Sequence, residues 1–418
     1  MNERIKQLNT ELQSYGGLRE IEKPLVVAEL LLGNVSSRAR QIIQTSKILN
    51  TESPALGKTP LKYFEEFLRA NFSGYQRDLL SELYGGAYSD GHNLGIVLTP
   101  EHITELCCEL LDLQEDDTVF EPCCGTGRFL VTAMRYVGKQ VYGVELQEDL
   151  SSISRANVML HGGQAEHVIF GDIFREDMNG QHFTAGYMNP PYSQKITELE
   201  FTMRLLSRLK TGGRAAVVVP VSVMIGKTKA DKERKREILT RHTLEGVITL
   251  NKDTFYGVGT VPCIAVFTVR IPHSKGKLSK FINFQDDGYE AKKHVGLIST
   301  ERASERREYL LDCWREKRTD YRTKFMVKTR VDADDEWLHS FYYYNDELPT
   351  EADFEHTMAD YLAFEANMIF HGRGYLFKGG ESDAKRADKD SESRGWRTPE
   401  GGQADKEEPQ QYRIVSDD

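Results

Sequence analysis

Between residues 89 and 272 short apolar runs alternate with amphipathic stretches of helical length, and this alternation constrains the fold more than any other feature of the chain. The runs are Val119 to Pro122, Gln140 to Glu145, His167 to Asp172, Phe183 to Pro191, Arg214 to Pro220, Gly246 to Leu250 and Cys263 to Arg270. Strands that are apolar along their length are covered on both faces, and strands separated by helices pair in parallel. The pattern predicts an α/β fold with a Rossmann-like, doubly wound sheet. No segment of helical length separates Leu244–Leu250 from Cys263–Val269. These two should therefore form an antiparallel hairpin at one edge of the sheet.

Residues 1–88 read as a helical N-terminal segment: Thr59-Pro60 supplies an N-cap and a first-turn proline, and Leu61, Phe64, Phe67, Leu68 and Phe72 recur at helical spacing. Residues 273–378 read as an α+β C-terminal extension. It includes an amphipathic helix over 301–318 with Leu310, Cys313 and Trp314 inward. Residues 379–418, rich in Gly, Ser, Asp, Glu and Lys, read as a disordered tail.

Charge and cysteine usage narrow the classes further. With 54 Lys and Arg against 64 Asp and Glu, a net −10, the chain is no polycation, so nucleic acid needs a local basic face. One candidate is Gly226 to Arg236, with six basic and two acidic residues, for which a solvated helix face is the plain alternative. Lys292-Lys293-His294 and Tyr342-Tyr343-Tyr344 are weaker candidates, equally readable as a surface turn and a core strand. The polar N-terminus and the interruption of Ala215–Ile225 by Pro220 predict no signal peptide, no membrane span and a cytoplasmic location. Six cysteines in two adjacent pairs and two singles match neither a metal knuckle nor a disulfide framework, and are expected reduced and packed.

The chemistry concentrates at the ends of the predicted strands. Val119 to Leu130 runs from a strand through Gly125 and Gly127 into a helix, the turn by which a backbone approaches a ligand. The third glycine of a dinucleotide fingerprint is replaced by Leu130, and Glu121 stands where a pyrophosphate would sit. That disfavours a nicotinamide cofactor and suits a cation such as S-adenosylmethionine, with its ammonium and sulfonium. Glu145 ends the next strand 20 residues beyond Gly125, where an acid meets ribose hydroxyls. Asp172 ends the strand after that, where it would accept from an adenine amine. Each acid alone fits a helix N-cap; three at successive strand tips point to a nucleoside-bearing cation.

Asn189-Pro190-Pro191-Tyr192 ends the fourth strand. Prolines fix φ and remove donors, so the segment fits a rigid turn. It also fits activation of a conjugated amine, whose lone pair is delocalised into a ring. Two acceptors, the Asn189 carboxamide oxygen and the Pro190 carbonyl, would draw that nitrogen toward tetrahedral geometry, while Tyr192 stacks on the base. The catalysis required is mostly positioning.

The order of these motifs over residues 89–272 resembles the S-adenosylmethionine-dependent amino-group DNA methyltransferases with an Asn-Pro-Pro-Tyr motif, specifically type I restriction-system modification subunits and their stand-alone relatives. The resemblance sets S-adenosylmethionine against Glu121, Pro122, Cys123, Gly125, Gly127, Glu145 and Asp172. It sets Thr99, in Leu98-Thr99-Pro100, against the cofactor carboxylate; the family usually has an aromatic at the position of Leu98. Thr254 to Thr260 resembles the segment whose aromatic packs on the substrate base, with Phe255 the candidate and Tyr256 the reserve; a hairpin-tip aromatic capping a core is the bland alternative. The implied reaction is methylation of adenine N6 in DNA after base flipping. Stacking on Tyr192 and Phe255 at ~1–3 kcal/mol per base is comparable to the unstacking cost, so further DNA contacts are expected.

Alternatives stay open, among them whether residues 273–378 read DNA or dock a partner. The same loop serves cytosine N4, RNA amines and protein glutamine. The chain also fits an assembly subunit that is silent until a separate specificity subunit joins. No metal-binding motif or fused nuclease constellation stands out in the sequence.

Overall fold

Apolar spacing of three and four residues sets up the N-terminal helices of the computed structural model, which describes residues 3–33, 35–49, 53–72, 77–89, 98–192, 195–256, 259–292, 296–318, 322–344 and 351–373. They are α1 (Glu3–Ser14), α2 (Glu22–Leu32), α3 (Ser37–Thr45), α4 (Pro60–Phe72) and α5 (Leu79–Ser89). Ile5, Leu8 and Leu12 share the buried face of α1. Ser36 caps α3 by accepting from the Ala39 N–H at 3.0 Å, and Pro60 opens α4 where no donor is needed.

The alternating region follows in the expected order: α6 (Glu101–Leu110), β1 (Val119–Glu121), α7 (Arg128–Val137), β2 (Val141–Glu145), α8 (Glu148–Leu160), β3 (Val168–Phe170), β4 (Phe183–Met188) and α9 (Glu198–Ser207). Then come β5 (Leu209–Pro220), α10 (Val221–Ile225), α11 (Lys229–Arg241), β6 (Thr243–Leu250) and β7 (Pro262–Thr268). The chain continues with β8 (Ser279–Phe284), β9 (Tyr289–Lys292), β10 (Gly296–Ser299), α12 (Ala303–Trp314), β11 (Met326–Thr329) and α13 (His339–Tyr342).

One nine-stranded sheet has the order β11-β8-β6-β7-β5-β4-β1-β2-β3, and β9 pairs with β10 in a separate ribbon. Strands β3, β2, β1, β4 and β5 are parallel, which is the doubly wound α/β architecture expected. Its two faces carry separate cores. Phe129, Leu130, Tyr187, Ile248 and Leu310 lie in one, and Phe120, Phe183, Leu205, Phe267 and Trp337 in the other. The N-terminal helices form a third core that extends to Leu150, Ile153 and Ala156 of α8.

The hairpin of β6 and β7 is antiparallel as predicted, but it is not at the edge of the sheet. Strand β7 inserts between β5 and β6, and β8 pairs in parallel with β6 from Gly246↔Lys280 to Leu250↔Phe284. The reason is burial on both faces of β6, where Val247 and Ile248 point opposite ways and both are fully covered. A strand so buried leaves no edge for water to satisfy. Gly246 permits the pairing, since a Cβ there would lie 2.2 Å from the Lys280 carbonyl oxygen. The sheet therefore runs past residue 272, through β8 and β11, and Leu310, Cys313 and Trp314 of α12 pack against it as the helical pattern predicts.

A second unit, residues 345–418, contains the described helix α14 (Glu351–Phe370), on which Phe354, Met358, Tyr361 and Leu362 are exposed. The tail from 379, together with Lys293 and His294, lies outside the described residues. Among the described residues no helix is long and apolar enough to cross a membrane. Tyr342 to Tyr344 are not a strand: Tyr342 ends α13 and packs on Phe281 at 4.4 Å, and Tyr344 is exposed.

The basic run from 226 to 236 is largely paired within the protein. Arg234 bridges Glu200, Lys232 and Arg236 meet Asp334, and Lys229 meets Glu233. Lys235 is fully buried, donating to the carbonyls of Met224, Ile225 and Asp335 with its ammonium 4.8 Å from the Trp337 ring centroid. Lys235→Met keeps the volume and leaves those carbonyls without their donor, so urea unfolding should register a loss of about 3 kcal/mol. A loss below about 0.5 kcal/mol, the scale of an ordinary surface substitution, would show that water replaces the ammonium there.

Candidate functional site

The carboxyl ends of β1 to β4 assemble the predicted residues at one edge of the sheet. After Glu121 the chain turns through Pro122, Cys123 and Cys124 to Gly125 and Gly127, at φ of +54° and +81°. A Cβ on Gly127 would lie 2.5 Å from the Ser154 hydroxyl of α8, so the turn and α8 touch only because that residue is glycine. A Cβ on Gly125 would enter open space. The Gly125 backbone is thus accessible to a ligand.

Glu145 braces the turn from the tip of β2. Its Oε2 accepts from the Gly125 N–H at 2.8 Å and its Oε1 from the Gln147 N–H at 2.9 Å. Burial raises its pKa against those backbone donors. Glu121 is 4% exposed, and its Oε2 has no hydrogen-bond partner among the described residues. Burial first and the neighbouring Glu145 charge second push the Glu121 carboxyl well above the usual carboxylate range. Asp172 is partly committed to its own turn, with Oδ1 accepting from the Phe174 N–H at 3.0 Å and Oδ2 3.6 Å from Arg175 Nε.

Asn189 leaves β4 with its amide oriented by one contact, Nδ2 donating to Thr99 Oγ1 at 3.0 Å. The Tyr187 hydroxyl donates to the same oxygen at 3.2 Å, and Arg128 Nη1 donates to the Thr99 carbonyl at 3.3 Å. The Asn189 Oδ1 is left buried with no partner among the described residues. Pro190 is buried and Pro191 exposed. The Tyr192 hydroxyl is also buried and unpartnered.

Tyr192 and Phe255 do come together, but edge to face, at 6.3 Å and 74°. They are not the parallel plates between which a base would be held. Phe255 is 2% exposed and packs in the core with Leu250 and Ile264. Its direction is set by Asn251, whose Oδ1 accepts from the Asp253 N–H and whose Nδ2 donates to Asp287 Oδ1, bending the chain inward. Tyr256, the reserve residue, is 47% exposed. Gly257 and Val258 of this segment lie outside the described residues.

Two groups of residues escaped the sequence reading. Leu146 and Phe170, 67% and 50% exposed, flank the acids at the tips of β2 and β3; an apolar residue beside a strand-tip acid was the available signal. Asp78 accepts from Asn157 Nδ2 at 2.6 Å and the Ser81 N–H at 2.9 Å, and pairs with Arg128 Nε at 3.2 Å. Asn157 also donates to the Thr126 carbonyl, and the Ser81 and Thr126 hydroxyls bond each other. The N-terminal helices are thereby tied to the glycine turn across 50 to 79 residues of chain, which no local pattern could reveal.

Residues 76–351 match the family described as N-6 DNA methylase. The chain belongs to that family. It is 42% identical over 374 residues to the type II restriction enzyme and methyltransferase RM.BcgI of Heyndrickxia coagulans, covering 82% of this chain and 59% of that protein. It is 26% identical over 231 residues to the type I restriction enzyme MjaVII methylase subunit of Methanocaldococcus jannaschii, covering 45% of this chain and 39% of the subunit. The chain thus spans less than two thirds of the length of these relatives. In fold it is similar to a type I restriction-modification methyltransferase subunit from Streptococcus thermophilus, at 20% identity and TM-score 0.57 over 72% of this chain and 70% of that one. It is likewise similar to a chain from a structure addressing assembly of the type I system, at 16% identity and TM-score 0.61 over 90% and 98%.

In this chain Asp78→Ala should strip Arg128 and Asn157 of a buried partner. A loss of about 3–5 kcal/mol in chemical denaturation is expected, as for breaking a buried pair. A loss under about 1 kcal/mol would mean that the helices and the turn are joined by packing alone.

Proposed function

We propose that this chain transfers the methyl group of S-adenosylmethionine to N6 of adenine in DNA, with the base flipped into the Asn189–Tyr192 pocket. The observation that carries the reading is the buried Asn189 Oδ1: the Nδ2 contact to Thr99 fixes the amide and leaves the oxygen as an acceptor with no protein donor. An amine N–H fits that need, and the Pro190 carbonyl would take the second. Tyr192 would stack on the base, with its neighbour Phe255 shifting or backing it from the edge. The family match and the restriction-enzyme relatives favour DNA over RNA or protein glutamine as acceptor.

The residues also fit the methyl donor. Glu121 Oε2 is a buried acceptor without a partner, and the Gly125 backbone lies open. When bound, S-adenosylmethionine supplies an electrophilic methyl on a sulfonium. The chain's part is to hold: Glu121 toward the cationic end, Glu145 toward the ribose hydroxyls, Thr99 at the start of α6 toward the carboxylate, and Asp172 with Leu146 and Phe170 around the adenine. The amine becomes acidic only as it is methylated and then gives its proton to solvent water, so an acceptor that is not a base, the carboxamide at 189, suffices.

A second reading, a modification subunit that waits for a specificity subunit, is supported by the type I methylase subunits among the relatives. Labelled methyl transfer by the purified chain to duplex DNA, with RNA and cell protein in parallel, separates the two. Transfer to adenine in DNA supports the self-sufficient enzyme, and cofactor binding without transfer supports the waiting subunit. Where transfer occurs, Asn189→Ala should lower turnover by about 10² or more while cofactor affinity changes little. Near-normal turnover would refute the assigned role of Asn189.

Cofactor binding should depend on pH in a set direction. Glu121 in the free chain holds a proton above the usual carboxylate range, and a sulfonium or ammonium favours the ionised form. Binding should therefore release a proton, and affinity should fall as pH drops through the raised pKa. Calorimetry in buffers of different ionisation enthalpy measures this. Zero proton release in wild type, or the same release in Glu121→Gln, would show that Glu121 does not meet the cation.

A further inference from the structure

A cavity of about 310 Å³ opens beside the site, between the first turn of α6, the end of β8 and the start of α12. Its volume is at the lower end of the ~300–1,000 Å³ typical of small-molecule pockets. Phe284 ends β8 opposite Leu250 of β6, and β6 runs the same way as β4, so the cavity lies at the sheet edge that carries Asn189. Two of its lining residues link it to that site. His102 is one turn along from Thr99 on α6, and Asp287 holds Asn251, which starts the bend toward Phe255.

The lining is unusual for a gap between packed elements. Asp287 is 1% exposed; its Oδ1 accepts from Asn251 Nδ2 and the Tyr289 N–H, and its Oδ2 has no partner among the described residues. Leaving a buried acceptor unmet costs about 1–3 kcal/mol. A second unmet atom, His102 Nε2, is buried on the same wall, with the imidazole stacked on Tyr289 at 3.9 Å and 15°. Burial and the Arg307 charge lower the His102 pKa to about 4, so the ring is neutral near pH 7. Arg307 is engaged by Glu105 and Glu109. Phe284 and Leu106 supply apolar cover.

An acceptor at one end, a neutral imidazole, a flat aromatic wall and apolar cover match a planar ring with an exocyclic amine, the way proteins read an unstacked base. We infer that this cavity is a second nucleobase pocket, selective for an amine-bearing base, next to the pocket for the methylated adenine. The base comes from DNA beside the target or from a free nucleotide. Only the first source rests on the methylase reading; the chemistry is the same for both.

The test is binding of deoxyadenosine, deoxyguanosine, deoxycytidine and thymidine to the full chain saturated with S-adenosylhomocysteine. At least one amine-bearing nucleoside should bind, and thymidine should bind more weakly. Asp287→Asn keeps an oxygen for Asn251 and Tyr289 but puts a donor in place of Oδ2, so it should weaken that nucleoside about tenfold or more, the worth of one hydrogen bond to a charged group. His102→Phe keeps the stack on Tyr289, removes Nε2 and should also weaken it, whereas Asn189→Ala should not. Unchanged S-adenosylhomocysteine affinity and thermal midpoint in both cavity variants establish that they fold. Competition by a single-stranded oligonucleotide identifies DNA as the source, and lack of competition identifies the free nucleotide.

Nucleoside binding that is absent, or equal in wild type and both cavity variants, overturns the inference, as does displacement of the nucleoside by putrescine. Methyl transfer that persists beside either result shows that the methylase reading stands without it. Binding sensitive to Asp287→Asn in a chain that methylates nothing shows the reverse.

Discussion

The hydrogen bond from the Gly125 N–H to Glu145 joins the turn after β1 to the tip of β2, and the placement of the site follows from it. The turn exists because Gly125 and Gly127 accept positive φ, and it lies against α8 because Gly127 has no side chain to strike Ser154. With the turn held there, Glu121 is enclosed beside Glu145, whose charge adds to burial in making ionisation of Glu121 harder, while burial alone raises Glu145. A protein that only needed stability would gain little from that arrangement. Under the proposed function a bound cation would offset its energetic cost, which would tie the local fold to the class of ligand.

How far the sequence discloses this depends on the range of the interaction. The apolar runs, the acids at their ends and the Thr59-Pro60 helix start are local, and each lies where its spacing predicts. The position of the hairpin within the sheet was not legible, because it depends on β8 arriving some 30 residues later to cover β6 at Gly246. The orientation of Phe255 was not legible either, since the Asn251 contact to Asp287 that directs it spans 36 residues. Lys235 sat in a run read as solvated or phosphate-binding, yet its acceptors are backbone carbonyls up to 100 residues away. Backbone acceptors carry no residue identity, so no inspection of side chains would have found them.

The same distinction bears on electrostatics. A count of six cations in eleven residues suggested a basic face, but Glu200, Asp334 and Glu233 neutralise most of it and one lysine is buried. Exposed pairs of this kind contribute about 0–1 kcal/mol each to stability, so their main effect is to cancel the long-range field that would attract a phosphate backbone. With a net charge of −10 the chain has little general attraction for DNA, and affinity must come from a few placed contacts and from the base itself.

That requirement gives α6 a double importance. Thr99, just before its N-cap Pro100, meets Asn189, and His102 in its first turn faces the Asp287 cavity, so a shift of this end of the helix is felt at both. The helix is fixed from outside by Arg135, which bridges Glu101 and Glu105, and by Arg307, which bridges Glu105 and Glu109. Arg307 belongs to α12 and also lines the cavity. Residues beyond 272 therefore hold the turn that orients the Asn189 amide, and the C-terminal part of the sheet is coupled to the site by an ion-paired helix without contributing a residue to the Asn-Pro-Pro-Tyr loop.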